Sequence, residues 1–143
     1  MIEKRFERQV DLDREIKAVS LFCYLYGFTF KKLGDNDIDF IIYENDKFLS
    51  YLEVKGRNRY ILNSYPLPVS IRKLFRMSEK RKQSIILWAC FDGIIFSRLE
   101  CLEGVIKIGG RKPRDGSIND VEIMAYYEKS KNLIEVKYEM QKL

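Results

Sequence analysis

Histidine is absent from this 143-residue chain, and its absence removes more chemistry than any other feature of the sequence. Ser/His and Cys/His triads, His-ligated zinc and imidazole general bases are all excluded at once. Cysteine is scarce as well. Cys23, Cys90 and Cys101 are odd in number and have neither CxxC nor CxxxH spacing, so no disulfide framework or zinc site is indicated and three reduced thiols are expected. No uninterrupted apolar run reaches the roughly 18–20 residues of a membrane span, and the opening MIEKRFERQV is charged rather than apolar. A soluble, cytoplasmic protein with no membrane partner is expected. Chemistry on such a chain is left to carboxylates, lysines, tyrosines or a bound metal.

Apolar residues make up 46% of the chain, enough for one ordinary core, so residues 1–143 read as a single domain. The 26 basic against 21 acidic side chains give a net charge of +5 and a pI near 9.0. That balance favours a polyanionic partner.

Residues 11–26 read as an amphipathic helix, with Leu12, Ile16, Val19, Cys23 and Tyr26 recurring every three or four positions and Gly27 as a stop. Two extended runs, 38–44 and 48–54, flank the polar turn Asn45, Asp46, Lys47 and form a hairpin. After a loop rich in Arg, Asn and Tyr, a second helix is expected over 69–82. The runs SIILWACF and IIFSRL around Asp92-Gly93 make a second hairpin. A basic, Gly-rich stretch, KIGGRKPRDGS, precedes two more strands, 122–127 and 133–138. The order is that of an α+β, mixed α/β layout with a β-rich C-terminal tail.

The chemistry concentrates in DNDIDFIIYENDKFLSYLEVKGRNR. Ile38, Phe40 and Ile42 alternate on the first strand, and Leu52 and Val54 on the second, marking one face as core. Asp37, Asp39, Glu53 and Lys55 fall on the other. A three-residue loop, Asn45 to Lys47, places Asp39 opposite Glu53 and Asp37 opposite Lys55. A two-residue loop shifts the register by one and turns Asp39 to the wrong face. Opposed carboxylates about 4.5–5.5 Å apart at Cβ can share a cation, and oxygen-only donors suit Mg²⁺ or Mn²⁺. Such an ion polarises a phosphate and activates a water, while Lys55 on the same face positions that water or stabilises developing charge.

With Asp39, and Glu53-Val54-Lys55 fourteen positions later, the chain resembles the PD-(D/E)XK nuclease superfamily over roughly its first hundred residues. Ile38 stands where that family usually carries proline. The resemblance implies a restriction-endonuclease-like core, a central mixed β-sheet flanked by helices. It also implies Mg²⁺- or Mn²⁺-dependent hydrolysis of DNA, with Asp39 and Glu53 as metal ligands, the Val54 carbonyl assisting and Lys55 as the catalytic lysine. Within the family an acid on the first helix often completes the site. Glu15, on the border of the apolar face, is the candidate here, and it reads equally as a helix-surface carboxylate. The small size points to a structure-selective, phage- or resolvase-like member, for which a homodimer would supply two centres.

Glu135-Val136-Lys137 repeats the tripeptide near the C-terminus, but lacks a following helix and basic loop, and reads as an amphipathic edge strand. Arg57, Arg59, Lys73 and Arg76 follow the first copy closely and can track phosphates, and a solvated helix face explains the helical ones nearly as well. Lys73 is best placed to reach the centre. Arg111, Lys112 and Arg114 form a second basic loop, a DNA clamp or a turn. Trp88 and the tyrosines read as packing rather than base-stacking residues. A competing reading is a non-catalytic nucleic-acid-binding or protein-interaction module that retains the nuclease fold.

Overall fold

The computed structural model describes residues 2–34, 39–78, 84–110 and 121–140. The first helix, α1, runs Ile2–Tyr26 and is followed by β1 (Thr29–Lys32), β2 (Phe40–Glu44) and β3 (Lys47–Gly56). Next come β4 (Leu67–Ser70), α2 (Ile71–Ser78), β5 (Ser84–Ala89) and β6 (Gly93–Arg98). The chain continues through β7 (Val105–Gly110), β8 (Val121–Tyr127) and β9 (Ile134–Lys137). Six strands form a mixed sheet in the order β1-β2-β3-β5-β6-β9, in which only β3 and β5 run parallel; β4, β8 and β7 make a separate antiparallel sheet. The class is the expected α+β.

Helix α1 begins nine residues before its expected start. It ends as the sequence indicates: Gly27 takes φ +70° and the Phe28 amide donates to the Cys23 carbonyl at 2.9 Å, closing the last turn. Its inner face, Ala18, Val19, Leu21, Phe22 and Cys23, packs on Phe40, Ile42, Leu52, Val54, Leu87 and Phe96 of the large sheet. The opposite sheet face is also covered. Ile86, Trp88 and Ile95 pack against Leu67, Val69, Ala125 and Tyr127 of the small sheet and Met77 of α2. Strands β5 and β6 are therefore buried on both sides, which is why they read as continuous apolar runs rather than alternating ones.

Three further stretches differ from expectation. The second helix starts at Ile71, because Leu67–Ser70 extends instead to pair with β8; Pro68 tolerates this, its carbonyl accepting from Trp88 Nε1 at 3.0 Å. Strand β7 occupies part of the stretch read as a basic loop. In the second hairpin the tight turn is Phe91-Asp92, not Asp92-Gly93, since the Cys90 amide donates to the Gly93 carbonyl. Gly93 is needed for another reason: a Cβ there would overlap the Val136 carbonyl oxygen on the neighbouring strand. The second Glu-x-Lys copy lies on β9, at the edge of the large sheet, as expected.

Candidate active site

The hairpin β2–β3 reaches the expected register by an unexpected route. Asn45 and Asp46 alone form the turn, with φ of 50° and 63°, and Glu44 pairs with Lys47. This is the two-residue turn that the Asn-Asp pair favours, and it corrects the three-residue loop. The ladder then shifts between Ile42 and Tyr43: Tyr43 faces Phe48, but Ile42 faces Ser50, so Leu49 is an extra residue in β3. That β-bulge adds back the one position the short turn removed. Beyond it Ile41 faces Tyr51 and Phe40 faces Leu52, the pairing that carries Asp39 to Glu53.

Each of the two carboxylates accepts a backbone amide from the facing segment of the hairpin. The Val54 amide donates to Asp39 Oδ2 at 2.9 Å, and the Asp39 amide to Glu53 Oε2 at 3.3 Å. Glu53 is only 3% exposed, because the strand face that carries it is covered by the small sheet and α2. Lys73 reaches from α2 to within 2.9 Å of Glu53 Oε1, and its own amide is held by Ser70 Oγ at 3.3 Å. Burial, and secondly the charge of Glu53, push the Asp39 carboxyl above its usual range; the Val54 amide and the charges of Lys73 and Lys32 act the other way. Lys32 was not among the expected residues, because the short strand β1 that carries it has no clear alternation in the sequence.

Lys55 is half-buried two residues beyond Glu53, on the same strand face. The remaining expected residues are spread more widely. Glu15 is half-buried on α1. Among the described residues no three Asp, Glu, Cys or His side chains gather as a metal-binding group, so Glu15 is not drawn into one with Asp39 and Glu53. Asp37, Arg111, Lys112 and Arg114 lie outside the described residues. Arg57 turns inward: its guanidinium donates to the Ser64 carbonyl at 3.1 and 2.8 Å, bracing the following loop rather than facing solvent. Arg59 is exposed and Arg76 half-buried.

The donor set suits a hard divalent cation. Two carboxylates stand side by side with no soft ligand between them; burial first and repulsion from Glu53 second raise Asp39, and a cation would relieve the repulsion. Two protein carboxylates suffice for an ion that keeps most of its waters.

A family model described as "Phage putative PDDEXK endonuclease" matches residues 1–133. No curated protein and no solved structure matches the chain. Among the described residues no helix is long and apolar enough to cross a membrane.

Proposed function

This chain belongs to the phage PDDEXK endonuclease family, and from that premise we propose that it hydrolyses DNA phosphodiester bonds with a divalent metal at Asp39 and Glu53. The reading rests on the clasp between those two residues, which aligns two carboxylates beside a lysine on one strand face. A Mg²⁺ or Mn²⁺ ion held by Asp39, Glu53 and the Val54 carbonyl would polarise the scissile phosphate and make a bound water acidic.

The chain's own groups supply the rest. The amides of Val54 and Asp39 fix the carboxylates before substrate arrives, so little reorganisation is needed. Lys55 orients the attacking water and steadies the charge gathering on the phosphate oxygens. A P–O bond forms to that water as the bond to the leaving sugar oxygen breaks, giving a phosphate monoester and a sugar hydroxyl; the attacking water loses a proton to solvent and the leaving oxygen takes one from solvent. Lys73 neutralises Glu53 while no metal is bound. Arg59, Arg76, Arg111, Lys112 and Arg114 follow the backbone phosphates.

Cleavage of plasmid and branched DNA in Mg²⁺ or Mn²⁺ tests this, comparing the parent with Glu53→Ala and Lys55→Ala. Metal-dependent cutting by the parent, reduced at least about a hundredfold in either variant, is expected. Equal cutting by all three proteins would place the chemistry elsewhere. DNA binding with no cutting by any of them would favour the non-catalytic module.

A further inference from the structure

At the end of the large sheet just past Lys55, two aromatic rings face solvent beside apolar residues that are buried. Tyr60 is 57% exposed and Phe91 49%, whereas Ile61 is 3% and Trp88 0% exposed. Their centroids lie 5.4 Å apart with the rings at 70°, making an open corner rather than a sealed stack. The Arg14 guanidinium lies 5.7 Å from the centre of the Phe91 ring and donates to Asn58 Oδ1. It also borders the candidate active site's strand, since a methyl group on Gly56 would sit 3.9 Å from its Nη1.

This corner is held rigidly. The Arg57 amide donates to the Ala89 carbonyl and the Phe91 amide to the Arg59 carbonyl. The Ile61 amide donates to Asp92 Oδ1 at 2.8 Å, and Ser64 Oγ to the Tyr60 carbonyl at 2.7 Å. The loop after β3 is thereby fastened to the turn between β5 and β6. Exposed aromatic faces interleaved with cations, on a preorganised loop, match the two things an unpaired nucleotide offers: a flat π-surface and a phosphate. A base inside a duplex offers neither face.

We propose that Tyr60 and Phe91, with Arg14 and Arg59, form a stacking platform for unpaired bases. It would direct the enzyme to DNA carrying a single-stranded segment beside the scissile phosphate. The inference rests on the nuclease reading for its placement, but its binding test does not depend on cutting.

The test is fluorescence anisotropy in EDTA, using a fluorescein-labelled oligothymidylate, an abasic strand of the same length and a blunt duplex. The parent should bind the strand with bases about tenfold or more tighter than the abasic strand. The Tyr60→Ala/Phe91→Ala protein should lose that preference, and Tyr60→Phe should keep it. Equal binding of the two strands by the parent, or an unchanged preference in the double variant, would overturn the proposal. Should the double variant not fold, a bromouracil-substituted strand irradiated with the parent decides: attachment at the Tyr60 or Phe91 segment supports the platform, and attachment only elsewhere overturns it. A parent that prefers bases but never cuts DNA retains the platform and loses the nuclease reading; one that cuts without the preference does the reverse.

Discussion

Lys73 Nζ on α2 and Glu53 Oε1 in β3 stand 2.9 Å apart, an ion pair spanning the gap between helix and sheet. Glu53 is almost wholly buried, and Lys73 sets a cation against it. Lys73→Met should therefore destabilise the metal-free protein by about 1–3 kcal/mol, below the range for a fully buried pair because the lysine is itself partly exposed. Adding Glu53→Gln should recover most of the loss. Thermal melts of the two single variants and the double variant measure the coupling, and additive effects would deny it.

Asp39 bears the opposite strain. Burial and Glu53 raise its pKa, so its charged form costs stability near neutral pH when no metal is bound. Asp39→Asn keeps an acceptor for the Val54 amide while removing the charge. It should raise the melting temperature in EDTA by about 2–5 °C and abolish cleavage. With Mn²⁺ in excess the order should reverse, since the parent alone gains binding stabilisation. A melting point unchanged by Mn²⁺ in both proteins would count against the site.

The pairing of Asp39 with Glu53 was legible in the sequence because core alternation fixes a strand's faces however the turn is built. The turn itself was not. Asn45-Asp46 closes in two residues, and the compensating bulge at Leu49 leaves no mark in an apolar stretch. The burial of Glu53 was hidden for a similar reason: the small sheet covering it comes from strands far apart in the chain, β4, β7 and β8, whose pairing no local pattern reveals. Lys73 was identifiable from its place early in the second helix. The exposure of Tyr60 and Phe91 was not, because composition cannot separate a packed aromatic from a presented one.

The bulge yields its own prediction. Deleting Leu49 should give a regular two-residue hairpin with Ile42 still facing Ser50, leaving Asp39 beside Glu53 and cleavage within a few-fold of the parent. Deleting Ile42 should instead shift the pairing by one residue and lower cleavage at least about a hundredfold. Comparable activity in both proteins would show that register does not assemble the site.

Burial pushes the Cys23 thiol from an ordinary value of 9.0 up to about 11. A raised folded-state pKa means that the stabilisation is complete below pH 9.0 and is lost as pH climbs towards 11, by on the order of 2 kcal/mol. Cys23→Ala should flatten the fall in melting temperature across that window. In the native protein at neutral pH, a thiol reagent should modify exposed Cys101 promptly and reach buried Cys23 and Cys90 only on unfolding.

The most direct measurement is the anomalous difference map of crystals grown with Mn²⁺. A peak within about 2.0–2.3 Å of both an Asp39 and a Glu53 carboxylate oxygen is predicted, and its loss in Asp39→Asn crystals. Manganese bound only elsewhere, or Asp39 and Glu53 on opposite faces of the sheet, would contradict the account.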